Sequence, residues 1–292
     1  MKKTIILAAM ATITSISFTA CTNDADEVLN NQQQGEKVFT FTCQGDFEIT
    51  TAPMTRATIE ADGKAMTDLW VLDYMGETLV QQIHQVSTDE DFGTPSLSLK
   101  YGDHHVYFVT SRGTEPVLNT TDKTLVFTKP YDTFWLDYSV SVTATTSNVH
   151  RAVTLDRVVT KLKANFADAV SENAASFNIT PHVWYYGMNY QTGEPCNPIN
   201  DRTVVVTISA SFIGSTTASS SLYGFSTTTE WTTDVTMASK TASGDVIGQV
   251  SLTAVPLKRN RATEYTGPMF GATGDATISI NATWDDPYTG SW

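Results

Sequence analysis

Positive charge is scarce in this 292-residue chain. It has 18 Lys and Arg against 31 Asp and Glu, a net charge of −13. Such a surface repels phosphate backbones and anionic head groups, which argues against nucleic acid as a partner. Cysteine is scarcer still, with only Cys21, Cys43 and Cys196. No CxxC and no Cys/His cluster suggests a metal, and three cysteines do not make a disulfide framework. Cys43 and Cys196 lie far apart, and whether they pair is open. After the first twenty residues no apolar run is long enough to span a bilayer. The familiar catalytic signatures are also missing: no GxSxG, no P-loop and no HExxH.

What remains of potential chemistry is thin. His104 and His105 are adjacent on a predicted strand, so they face opposite ways and cannot share a metal. Asp89, Glu90 and Asp91 in "STDEDFG" lack the alternating oxygen spacing of a Ca²⁺ loop and read as a solvated turn. Cys196 in "GEPCNPINDR" has no His in a recognisable relation to it. Trp184, Tyr185, Tyr186 and Tyr190 in "HVWYYGMNY" suit core packing better than a sugar-stacking platform. The sequence therefore implies no enzyme, no catalytic residue, no cofactor and no metal site. At 41% hydrophobic and only 17% charged residues, the chain is nevertheless globular rather than disordered.

The informative features begin at the start of the chain. Lys2 and Lys3 precede a short apolar run that ends in Phe18-Thr19-Ala20-Cys21. A charged start, a run too short to span a bilayer and small residues at its end make a secretory leader. Cys21 directly after Ala20 resembles the lipobox of bacterial lipoproteins, in which the thiol is lipidated and becomes the new N-terminus. Phe18 departs from that pattern, where Leu is usual. The acidic "TNDADE" after Cys21 resembles a surface-export signal of some anaerobic Gram-negative lipoproteins. Loss of Lys2 and Lys3 with the leader would take the net charge from −13 to −15. Acyl chains contribute about 0.8 kcal/mol per buried CH₂, so a triacylated Cys21 holds a protein on a membrane.

The organisation expected is a leader over residues 1–20 and a polar, Asn/Gln-rich tether over 21–36. Two all-β units follow, over 37–152 and 153–292. "KVFTFTCQGDFEIT" alternates Phe39, Phe41 and Cys43 with Val38, Thr40 and Thr42. "DLWVLDYMGETLVQQIHQV" predicts a hairpin about Met75-Gly76-Glu77. "SLSLKYGDHHVYFVTSRG" predicts a second hairpin, turning at "YGDH". "RVVTKLKANFAD" predicts a half-buried strand, and "TVVVTISASF", "VIGQVSLTAVPL" and "ATISINATW" further strands. Short helices are expected near Asp132 to Tyr138 and in "DAVSENAASF". Many short strands between turn signals indicate sandwiches, not a parallel α/β sheet.

"TAPMTRATIEADG", residues 51–63, places the lone Arg56 in a polar connection after the first strand. Exposed loops of small residues are preferred sites of proteolysis. A cut between Arg56 and Ala57 would detach the lipid, the tether and the first strand together. The vacated groove could then take a strand from another molecule. An ordinary surface arginine is the plainer alternative.

The chain resembles the fimbrillins, the pilin superfamily of type V pili in anaerobic Gram-negative bacteria. The resemblance rests on the order of Cys21, "TRAT" at 55–58, "LWVLDYMGETLV" at 69–80, "YGDHHVYFVTSRG" at 101–113, "LDRVVTKLKANFAD" at 155–168 and "VPLKRNRATEYTGPMF" at 255–270. It implies two tandem transthyretin-like β-sandwiches and export to the outer membrane as a lipoprotein. It further implies trimming by an Arg-specific protease at Arg56–Ala57 and assembly with other pilus subunits by strand exchange. The tail after Trp284, with Pro287 and Gly290, is poor material for a donated strand. That departure leaves a stalk, tip, accessory or anchor position open. A surface lipoprotein that binds a glycan or host ligand without polymerising is the alternative function.

Overall fold

Strand pairing across the whole chain, rather than local propensity, organises the protein. In a computed structural model, residues 35–45, 48–49, 65–113, 115–271 and 277–281 are described. They belong to one compact unit that begins at Gly35. Cys21, Arg56, Ala57, the leader, all but the last two residues of the tether and the tail after Trp284 lie outside the described residues.

The strands run in chain order as β1 (Glu36–Gln44), β2 (Glu48–Ile49), β3 (Ala65–Met66), β4 (Asp68–Met75), β5 (Thr78–Val86), β6 (Ser96–Lys100) and β7 (Gly102–Ser111). Next come β8 (Val117–Asn119), β9 (Thr124–Val126), β10 (Thr133–Val142), β11 (Val149–Thr154), β12 (Asp156–Arg157), β13 (Val159–Phe166), β14 (Ser176–Pro181) and β15 (Val183–Asn189). The last are β16 (Pro195–Asn200), β17 (Val204–Thr207), β18 (Ser219–Phe225), β19 (Trp231–Lys240), β20 (Val246–Leu257), β21 (Ala262–Gly267) and β22 (Thr277–Asn281). Among the described residues the only helix is a single 3₁₀ turn, Ala210–Phe212. The fold is all-β.

Three cores hold the sheets together. The three-stranded sheet β11-β1-β6 packs on one face of the five-stranded sheet β12-β10-β7-β4-β5. Phe39, Phe41, Leu97 and Leu99 meet Leu69, Val71, Val106 and Phe108 there. The opposite face of the five-stranded sheet offers Trp70, Leu72, Tyr74 and Tyr107 to a second core, which Phe127, Met188, Tyr190 and Phe225 complete. The third core lies between β18-β13-β21-β22 and β17-β14-β19-β20 and includes Leu162, Phe166, Phe177, Met237, Leu252 and Trp184. With apolar layers on both sides, β4 is buried from Asp68 to Tyr74 and its sequence is a nearly continuous apolar run.

Several sequence expectations match this arrangement. The hairpin about Gly76 is present as β4–β5, with Gly76 at φ +55° in the turn. The alternation in β1 buries Phe39, Phe41 and Cys43 and turns Val38 outward.

Others need correction. The expected hairpin at "YGDH" is absent, because β6 pairs with β1 whereas β7 pairs with β4 and β10. The chain crosses between two sheets at this point. Gly102 carries the crossing at φ +138°, and a Cβ there would lie 2.6 Å from Met75 Cε. The helix expected near Asp132 to Tyr138 is strand β10, which pairs with β7 over its full length; that long ladder overrides local ambiguity. "DAVSENAASF" forms a bend and one turn, closed by Ala174 N–H donating to Ser171 O at 3.0 Å, and its last two residues, Ser176 and Phe177, begin β14. The strand expected over residues 203–212 ends at Thr207, and Ser209 then caps the 3₁₀ turn. β13 is not half-buried, because its second face places Val159 in the middle core and Lys161 over the Tyr223 ring.

Candidate functional site

β1 occupies the middle of its sheet, and the rest of that sheet comes from distant sequence. On one side it runs antiparallel to β6, from Glu36 opposite Lys100 to Thr40 opposite Ser96. The ladder continues past β6, with Phe41 N–H donating to Pro95 O at 2.9 Å and Cys43 N–H to Gly93 O at 3.0 Å. On the other side β1 runs parallel to β11, from Phe39 opposite Val149 to Gln44 opposite Thr154. From Phe39 to Cys43 the strand is therefore hydrogen-bonded along both edges.

Its inner face is apolar and deeply buried. Phe41 is 0% exposed and lies edge to face with Phe108 at 5.0 Å and with Tyr138 at 5.3 Å. Phe39 is stacked beside it at 6.2 Å. Cys43 completes the row, and burial pushes its thiol up to about 12. Cys43 and Cys196 are both free, so neither reacts as part of a disulfide here. Burial also raises the Cys196 thiol above its ordinary value, which disfavours a nucleophilic thiolate.

The outer face of β1 makes small polar contacts. Thr42 Oγ1 lies 2.8 Å from His150 Nε2, and Thr40 Oγ1 lies 3.3 Å from Ser96 Oγ. Val38 N–H donates to Asn148 Oδ1 at 2.9 Å. None of these demands a unique side chain. The seam thus specifies an alternating strand with bulky apolar residues inward and tolerates variation outward. Burial of each Phe contributes about 1.5–3 kcal/mol, and the ladder bonds about 0.5–1.5 kcal/mol each.

Removal of β1 would leave β6 and β11 facing each other across a gap of about two strand spacings, roughly 9–10 Å. The parallel partner β11 was not legible in the sequence. A pairing across more than one hundred residues leaves no local periodic signal.

The other sequence candidates resolve as follows. His104 and His105 do face opposite ways: His104 is buried against Asp73, and His105 is exposed beside Asp137. The "STDEDFG" turn uses its oxygens internally, since Asp89 accepts from Val86 N–H at 2.8 Å and Asp91 O from Gln85 at 3.0 Å. Among the described residues no group of three His, Cys, Asp or Glu is placed to hold a metal. Trp184, Tyr186 and Tyr190 are core residues, with Trp184 Nε1–H donating to Tyr223 O at 2.9 Å. Tyr185 is half-buried and meets Trp231 edge to face at 5.4 Å. Among the described residues no helix is long and apolar enough to cross a membrane.

The architecture is that of an all-β, multi-sheet protein with a strand from its N-terminal end seated in an apolar seam. Residues 100–291 match the model of a family of unknown function, DUF6562, and the chain belongs to that family. No curated protein matches it. Solved structures similar to it include a candidate adhesin of Bacteroides ovatus, 9% identical, with a TM-score of 0.49 and 81% of this chain and 88% of that chain covered. The tip fimbrial protein of Porphyromonas gingivalis, solved with a C-terminal truncation, is 14% identical, with a TM-score of 0.46 and coverage of 84% and 99%. A fimbrial assembly protein of Parabacteroides distasonis is 8% identical, with a TM-score of 0.43 and coverage of 85% and 96%.

Proposed function

We propose that this protein is a structural and adhesive subunit of a cell-surface pilus. It is exported as a lipoprotein through Cys21, trimmed at Arg56–Ala57 and assembled by strand complementation. The observation that carries this reading is the position of β1. It is paired on both sides, and Phe39, Phe41 and Cys43 fill the core beneath it. In sequence it is joined to the remainder of the fold through the segment that contains Arg56.

A single cut after Arg56 therefore separates β1 and β2 from every later strand. Two ladders and an apolar slot are then open to one incoming strand. A donated strand with bulky apolar residues at alternate positions restores both hydrogen-bond ladders and the buried Phe contacts. No chemistry beyond peptide hydrolysis by an external Arg-specific protease is required. The lipid at Cys21 leaves with the excised segment, so the cut also releases the subunit from the outer membrane. A subunit that escapes the cut keeps its anchor.

Treatment of the full-length lipoprotein with an Arg-specific protease tests this, followed by intact mass and native gel. The expected result is one cut at Arg56 followed by oligomers. A clean cut without oligomers restricts the protein to a terminal or accessory position. Resistance at Arg56 contradicts the processing step.

A further inference from the structure

His104 is 0% exposed in its side chain and sits between two sheets. Its Nδ1 lies 2.7 Å from Asp73 Oδ1 on β4, and its Nε2 lies 2.8 Å from the Lys100 carbonyl on β6. A carboxylate and a carbonyl can only accept. Both ring nitrogens must therefore donate, and the ring is an imidazolium. Asp73 is 1% exposed, and its Oδ2 is buried with no hydrogen-bond partner among the described residues. The His104 charge is thus what compensates this carboxylate.

The Lys100 carbonyl has a particular position. Tyr101 N–H donates to Gly35 O, and Glu36 stands opposite Lys100 without sharing a ladder bond. The Lys100 carbonyl consequently points away from β1, toward the outer edge of β6. Among the described residues no strand pairs with β6 on that edge. His104 is its partner there.

We propose that His104 is a protonation-dependent latch that helps fix β6, one wall of the β1 seam, to the five-stranded sheet. The proposal rests on the reading of β1 as a replaceable strand. Without β1, β6 has no ladder partner among the described residues. It is then positioned by the His104 bond, by Ser98 N–H donating to Gln81 Oε1 at 3.2 Å, by the burial of Leu97 and Leu99 and by the covalent link through Tyr101. A neutral imidazole can serve only one of its two acceptors. Loss of the proton leaves either a buried carboxylate or the β6 carbonyl without a donor.

The charged and titratable groups facing the ring are few. Asp73 comes from β4 and Asp103 from β7 itself, β6 contributes the Lys100 carbonyl, and β10 sets Val140 opposite. Burial opposes the charge, but the Asp73 hydrogen bond, the Lys100 carbonyl and the charges of Asp73 and Asp103 outweigh it. Together they hold the imidazole above its ordinary value. A raised value in the folded state means that the stabilisation is complete below the unfolded value of about 6.5 and is lost as pH rises through the folded value.

The test is hydrogen exchange on the full, uncleaved chain across an alkaline titration, with His104 followed by NMR. Exchange in Ser96–Lys100, corrected for its intrinsic pH dependence, is expected to accelerate about ten- to a hundredfold as His104 deprotonates. The β4–β5 ladder is expected to hold. Asp73→Asn is expected to move the His104 midpoint and the β6 loosening to lower pH together. Unchanged β6 protection while His104 titrates overturns the latch, as does a ring with a single N–H at neutral pH. If Asp73→Asn does not fold, the unmodified chain decides alone. Resistance at Arg56 would sink the assembly reading and leave this measurement intact.

Discussion

Phe41 of β1 meets Phe108 of β7 edge to face, with ring centroids 5.0 Å apart and planes at 65°. The contact joins the three-stranded sheet to the five-stranded one at a site with no solvent exposure. Phe41→Ala is expected to destabilise the uncleaved protein by about 3–5 kcal/mol, from lost transfer free energy and the cavity left behind. Val38→Thr, on the outward face of the same strand, is expected to change stability by less than about 0.5 kcal/mol. Urea unfolding of the two variants checks the pair. Equal losses would mean that β1 is not seated by its inner face.

Cys43 reports on the same strand chemically. Its thiol is buried and pushed up to about 12, so thiol reagents at pH 8 are expected to leave it unmodified in the intact protein. After cleavage and release of β1, labelling should appear on the excised fragment. Labelling of Cys43 in the uncleaved chain, read by peptide mass mapping, would contradict the burial described here.

Asp132 and Arg157 form a buried ion pair, with Arg157 Nε–H donating at 2.7 Å and a second nitrogen at 3.1 Å. Arg157 also donates to Asn260 Oδ1 at 3.0 Å and lies 4.6 Å over the Phe134 ring. The pair ties β10 and β12 to the β20–β21 turn. Asp132→Ala is expected to cost about 3–5 kcal/mol because it leaves a buried guanidinium without its carboxylate. Thermal unfolding of Asp132→Ala beside an exposed Glu172→Ala control measures it. A loss no larger than the control would make the pair a bystander.

Gly102 is a backbone requirement rather than a filler. Its φ of +138° strains any side chain, whereas the 2.6 Å approach of Met75 Cε comes from the flexible end of that side chain, which can give way. Gly102→Ala should destabilise the protein by about 1–3 kcal/mol. Gly214→Ala, also at positive φ but with nothing within 4 Å, isolates the strain from the clash.

How much of this was legible depended on the range of the interaction. The β1 alternation, the β4–β5 hairpin and the opposed faces of His104 and His105 are period-two effects and could be read directly. The break at Tyr101–Gly102 could not, because a hairpin and a sheet crossing carry the same Gly-Asp turn residues. β10 was misread near Asp132 because its identity as strand comes from pairing with β7 residue for residue. The seam itself is written in three separated segments, β1, β6 and β11, and only the first announced itself. The latch was invisible because Asp73 and His104 are thirty-one residues apart and each looks ordinary alone.

Strand replacement in trans measures the central claim most directly. The protein cut at Arg56 and freed of its excised fragment would be mixed with a labelled peptide of residues 36–44. A second peptide, with Phe39 and Phe41 each moved one place along, shifts the apolar pair to the outward face. The account predicts saturable, slowly reversible capture of the first peptide and none of the second, read by fluorescence anisotropy. Equal binding of both peptides, or of neither by a folded cleaved protein, would contradict it.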